Sequence, residues 1–193
     1  MKNYFSQLKA VLFHPADFFT SVAADAGYAA PMKFASLSVL IGGLISVMVD
    51  VLILRPSGFG LSTHTFSGDP LPTGLDPTQP WMFFLLVCVA AALAPIGIFI
   101  SAGISHLFVR LFKGRGNYNQ TVKIFAYAVA PSVFNVIPLV SGIWSAVIAI
   151  AGFKKLHSFS SGRAVMVYLS PLLAMLALVL LAFFVLMIAA PRA

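Results

Sequence analysis

Residues 164–190, AVMVYLSPLLAMLALVLLAFFVLMIAA, run without one charged side chain, and nothing else narrows the possible folds so far. An apolar stretch of about 18 or more residues exceeds what a soluble core helix needs and matches the ~30 Å hydrocarbon layer of a bilayer. The chain therefore reads as an integral membrane protein. Two further runs support this: 34–54, broken only by Asp50, and 81–109, where His106 is the one titratable group besides Cys88. Only 9% of the residues are charged and 60% are hydrophobic. That leaves too little polar surface to solvate a globule in water. All acidic residues are Asp, so paired-carboxylate and hard-metal chemistry have few candidates, and the lone Cys88 excludes a disulfide framework. No cleaved leader is expected, because Lys9, His14, Pro15, Asp17 and Asp25 interrupt the first 33 residues.

The stretch 121–153 carries Lys123, Pro131 and Pro138. As one helix it would be about 50 Å long, and Asn135, Pro138, Ser141 and Gly142 supply a turn near its middle. The sequence predicts two short helices there, either thin spans or a re-entrant loop shielded by protein. The basic residues sort accordingly. With two passes, every Lys and Arg except Arg55 and Arg192 falls on one side, the pattern of a cytoplasmic face. The predicted fold is an all-α five-transmembrane-helix bundle, one domain over 1–193, with spans near 33–54, 81–112, 119–136, 138–154 and 164–190. Its N-terminus is cytoplasmic and its C-terminus outside.

Residues 1–30 differ in kind. Phe5, Leu8 and Leu12 recur at helical spacing, and Pro15 with Asp17 suits the first turn of a second helix bearing Phe18, Phe19 and Val22. These read as N-terminal interfacial amphipathic helices, or as helices packed beneath the bundle. The Pro-, Gly-, Ser- and Thr-rich segment 55–80 reads as an external loop. His64, Asp69 and Asp76 within it are too irregularly spaced for a metal site, and no metal or other cofactor is expected.

The spans carry a few polar residues. Ser38, Gly42, Ser46 and Asp50 on one span, and Gly97, Ser101 and Ser105 on another, form small-residue stripes suited to helix contact. Asp50 and His106 are the intramembrane ionisable residues, but each lies within a few residues of a charged end, Arg55 and Arg110, where interface water is near. Pro131, Asn135 and Pro138 mark a helix break. The loop after the second span carries Gly114-Arg115-Gly116, read as a chain reversal, followed by Asn117 and Gln120 in capping-box register. Arg110, Lys113, Arg115 and Tyr118, with Lys154 and Lys155, form the candidate lipid- or partner-binding set, opposite anionic headgroups. No nucleophile motif is present, so no catalytic residue is assigned; Ser101 or Ser105 beside His106 is the sole local pairing, and adjacent helical residues diverge by about 100°. The net charge of +7 is absorbed by topology, and nucleic acid is not an expected partner.

The second half, GRGNYNQTVKIFAYAVAPSVFNVIPLVSGIWSAVIAIAGFKKLHSFSSGRAVMVYL, resembles the Yip family of Ypt/Rab-interacting multi-span membrane proteins. The resemblance is carried by Gly114, Gly116, Tyr118, Tyr127, Pro131, Pro138, Gly142, Trp144, His157, Arg163 and Ala164, and by FHPADFF near the start. It implies five helices and a membrane organiser or adaptor rather than an enzyme, with lipids, other membrane proteins or further copies of itself as partners. With about 30 residues before the first span, the chain is similar to the short bacterial form, so an inner-membrane location is expected and Rab binding is not carried over. A small transporter using the broken hairpin is the alternative reading.

Overall fold

The computed structural model describes residues 3–22, 27–54 and 80–189. Every regular element among them is helical: α1 (Tyr4–Phe13), α2 (Pro15–Val22), α3 (Ala29–Val49), α4 (Pro80–Leu111), α5 (Tyr118–Ala128), α6 (Pro138–Leu156) and α7 (Ser161–Ala189). α3 ends in a wider π-helical turn, Asp50–Leu54, and a 3₁₀ turn, Ala130–Phe134, follows α5. The segment 55–79, with His64, Asp69, Asp76 and the external-loop reading, lies outside the described residues.

Four of these helices, not five, are long and apolar enough to cross a membrane: Ala29–Ile53, Trp81–Leu111, Pro138–Leu156 and Ser161–Phe184. The expected span at 119–136 is instead an α-helix of 11 residues running into the 3₁₀ turn. Two residues cause this. Pro131 has no N–H for the ladder and disfavours helical geometry before it, so α5 stops at Ala128. Lys123, inside α5, is 1% exposed, which no lipid-facing span would tolerate.

The chain then turns back. Ser141 Oγ donates to Pro131 O at 3.0 Å, closing the tip, and Pro138 opens α6 at its first turn, where a missing N–H costs nothing. At the other end Arg115 N–H donates to His157 O at 3.4 Å. The start of α5 and the end of α6 therefore share one level, and the hairpin makes no net crossing.

Its depth is set by α3. Gly42 lies against the Ser132 and Val133 backbone so closely that a Cβ there would sit 2.9 Å from Val133 N, while the next residue, Gly43, packs on Val87 of α4. Below this level Ala35, Ile98, Ala102, Val122 and Ala126 bring α3, α4 and α5 together.

α1 and α2 pack into this lower level. Val11, Leu12, Phe18 and Phe19 are buried with Phe34, Ile124, Tyr127 and Phe153. The rings of Phe18 and Tyr127 meet edge to face at 4.7 Å. Each short helix has a C-terminal carbonyl capped by the bundle: Trp144 Nε1–H donates to Leu12 O at 3.0 Å and Lys123 Nζ to Val22 O at 2.9 Å. The last carbonyls of a helix lack partners and carry its negative dipole end, so a buried ammonium is well placed there. Phe5 and Phe13 stay on the outer face of α1, 68% and 67% exposed.

Beyond the hairpin tip little packs. The outer half of α7 exposes almost every described side chain from Leu172 onward. Such an all-round apolar surface is that of a helix solvated by lipid.

Candidate functional site

The expected basic set gathers where α4 ends, α5 begins and α6 ends. α4 closes with Gly114 N–H donating to Val109 O at 2.8 Å and Lys113 N–H to Arg110 O at 3.0 Å, the paired bonds of a Schellman cap. The left-handed residue this cap needs is Lys113, at φ 59°. The glycines of 114–116 thus serve a different end from the reversal the sequence suggested. They permit close approach: a Cβ on Gly114 would lie 2.7 Å from Val109 Cγ1, and one on Gly116 2.6 Å from His157 Cε1.

The capping box forms as its spacing predicted. Asn117 Oδ1 accepts from Gln120 N–H at 3.0 Å, and Gln120 Oε1 accepts from Asn117 N–H at 3.1 Å. Next to it the loop after α6 holds Ser158 at φ 56°, the other non-glycine residue at positive φ. Both left-handed residues flank one joint, Arg115 to His157. Such conformations cost of order 1 kcal/mol each and gather where surrounding structure holds a surface in shape. Arg110, Lys113, Arg115, Lys154 and Lys155 are all exposed around that joint, and Arg163 follows on α7.

Under it lies a polar chain that single-helix reasoning missed. His106 Nδ1 is 2.9 Å from Thr121 Oγ1, which is 3.0 Å from His157 Nε2. It ties α4, α5 and the end of α6 together. Burial holds the His157 imidazole down at about 4, with His106 adding to the effect and the Gly116 backbone opposing it. The ring's Nδ1 faces Gly116 without a hydrogen bond of good geometry. Thr121 between two imidazoles has the spacing of a nucleophile and base, but it is 0% exposed and no electrophile can reach it. The signal in the sequence was the polar set His106, Thr121 and His157, which only the hairpin topology brings together.

The remaining sequence candidates are dispersed. Tyr118 donates to Phe99 O at 2.8 Å and edges onto His106, so it pins the start of α5 to α4. Asp50 is buried in the π-helical turn, on the far side of Gly42 from the basic end. Pro131, Asn135 and Pro138 form the hairpin tip. Of the two small-residue stripes, Ser38 and Gly42 are buried in contacts, whereas a Cβ added at Gly97 would meet open space. Ser101 and Ser105 line a cleft of about 370 Å³ with Phe125, Tyr168 and Leu172. Among the described residues no three His, Cys, Asp or Glu side chains group as metal ligands.

Long apolar helices and cations collected at one end define a helical integral membrane protein. The family is settled by the model of the Yip1 domain, which matches residues 9–184: the chain belongs to the Yip1 family. No curated protein and no solved structure shows detectable similarity. Proteins of this family interact with membranes and with other membrane or Rab-related proteins, and are generally not enzymes.

Proposed function

We propose that this protein is a non-enzymatic membrane organiser whose basic end faces the cytoplasm and binds anionic lipid headgroups, directly or as the platform for another membrane protein. The observation that carries the reading is the joint of the two loops. The only described non-glycine residues in left-handed conformation, Lys113 and Ser158, sit beside it, and the exposed Lys113 is joined there by exposed Arg110, Arg115, Lys154 and Lys155. Lys and Arg concentrated at one end mark the cytoplasmic leaflet, and each contributes about 1 kcal/mol of attraction to an anionic surface.

The hairpin starts and ends at one level, so with α3, α4 and α7 each crossing the termini fall on opposite faces whether its tip crosses or turns back within the membrane. Lys33 is the last cation on α3, and Gly42, where the tip docks, lies about 13 Å further along, so an interface at the level of Lys33 puts the tip near the middle of a ~30 Å core. We read α5–α6 as a re-entrant hairpin in the inner leaflet, in what is a bacterial inner membrane if the short form keeps that location.

The test replaces Arg110, Lys113 and Arg115 together by Gln. In flotation with liposomes the detergent-solubilised variant loses most of its recruitment to anionic vesicles, with neutral vesicles as baseline. Recruitment equal to the parent protein's removes the headgroup reading. The transporter alternative draws on Asp50 and on the broken helix. Solute flux in proteoliposomes abolished by Asp50→Asn would establish it instead.

A further inference from the structure

From the same geometry we infer that the protein is a wedge, which senses and imposes membrane curvature with the basic-side leaflet convex. The inference rests on the re-entrant topology above but not on headgroup binding. Between Lys33 and Gly42 the bundle contains α3, α4 and α7 together with the hairpin α5–α6 and the short helices α1 and α2. The ring contacts of Phe18, Phe19 and Phe34 with Tyr127 and the cluster of Ala35, Ala102 and Val122 place α2, α3, α4 and α5 at that level, and Leu12 of α1, Phe153 of α6 and Val167 of α7 are buried in the same core as Tyr127. Past Gly43, which packs on Val87, the helices that continue among the described residues are the outer parts of α3, α4 and α7. Their side chains there are open: Met48 56%, Leu52 67%, Phe84 53% and Leu181 58% exposed.

A helix with its side chains is about 10–12 Å across, so each occupies roughly 80–110 Å² of a leaflet. By that measure the two hairpin helices and the two N-terminal helices add roughly 320–440 Å² to one leaflet, somewhat more than the roughly 240–330 Å² that the three crossing helices occupy in the other. The wide layer is immersed in acyl chains rather than perched on them, since Phe5, Phe13, Phe134 and Ile143 are exposed on its rim. It is also stiff. Trp144 and Lys123 fasten α1 and α2 to the hairpin, and Gly42 allows the tip no sideways play against α3. A stiff body that is broad in one leaflet and narrow in the other lowers its energy where the broad leaflet is stretched, which is the convex side.

Full-length protein labelled at the N-terminus is reconstituted in giant vesicles of uncharged phosphatidylcholine, and narrow tethers are pulled from them. An impermeant quencher identifies the orientation. Molecules with the basic end outside become severalfold denser in the tether than in the flat membrane, and those inserted the other way become depleted. Equal densities overturn the wedge, including the case in which copies pack through their outer halves and fill the narrow layer. The Arg110, Lys113 and Arg115 to Gln variant sorts like the parent even where it has lost anionic recruitment, which separates this inference from the headgroup reading. Hairpin depth is checked in a Cys88→Ser background carrying Ile137→Cys. Labelling by an impermeant maleimide from the far side shows a full crossing and overturns the wedge, leaving the basic face untouched.

Discussion

Gly42→Ala tests the contact on which the hairpin's depth depends. An added Cβ would stand 2.5 Å from Ser132 C and 2.9 Å from Val133 N, both backbone atoms, whereas ordinary contact begins at 3.4 Å. The Ser132 carbonyl oxygen lies closer still, so the tip must retreat by more than about 1 Å, and it has little freedom to do so. Ser141 Oγ holds the Pro131 carbonyl at 3.0 Å, and prolines flank both sides of the turn. Overpacking of this kind costs typically 1–3 kcal/mol. Against it stands the ~1 kcal/mol gained when a helical glycine becomes alanine. Gly97→Ala isolates that gain, because Gly97 lies within α4 and a Cβ added there would meet open space. The propensity terms cancel between the two variants, so their difference reports the steric cost alone. Thermal midpoints in detergent, followed by the monodisperse peak on size exclusion, should place Gly42→Ala below Gly97→Ala by roughly 3–10 °C. A midpoint for Gly42→Ala equal to or above that of Gly97→Ala refutes the docking of the tip on α3.

Three further outcomes follow from the closed basic end and the N-terminal caps. His157 is held at about 4, below the ~6.5 of the unfolded chain, so between these values the unfolded state binds more protons. Its contribution, ~3 kcal/mol, is complete above about pH 6.5 and is lost as pH falls toward 4; thermal midpoints over that range should fall steeply in the parent and less in His157→Gln. Lys113→Gly relieves a left-handed lysine and should raise the thermal midpoint by an amount worth about 1 kcal/mol while weakening anionic-vesicle flotation, a split that a purely structural lysine does not give. Trp144→Phe keeps the ring but leaves the Leu12 carbonyl without its donor. The cost is about 1–2 kcal/mol, read as faster proteolysis within residues 3–22 with little change in the cleavage of α4.

What the sequence disclosed and what it hid divide along the range of the interactions. Length of apolar run is a local property, so the three long spans and the membrane class were legible from 34–54, 81–109 and 164–190. The capping box was legible too, since Asn117 and Gln120 need only each other. The helix count was not. Lys123 looked like one more topogenic cation in a basic stretch, and nothing nearby in the chain announces that its partner is the Val22 carbonyl. Gly114 and Gly116 looked like turn glycines because reversal is their commonest use. Their actual neighbours, Val109, His157 and Phe159, include two from more than 40 residues downstream. The polar chain of His106, Thr121 and His157 was invisible for the same reason.

The placement of the first two helices explains why a membrane protein can carry so polar a hairpin. α5 brings a lysine, a threonine and the approach to a histidine into the bundle, and in hydrocarbon each uncompensated group would cost several kcal/mol. Lipid offers no hydrogen bonds, so shielding must come from protein. α1 and α2 supply it, with Phe18 and Phe19 covering Tyr127 and the end of α2 presenting its carbonyl to Lys123. The donors of the hairpin and the orphan acceptors of the short helices thus satisfy each other. Neither part is self-sufficient there: without α1–α2 the Lys123 ammonium loses the Val22 carbonyl, and without the hairpin the short helices lose the donors at their ends. The end of the bundle that holds α1, α2 and the hairpin is therefore one cooperative unit.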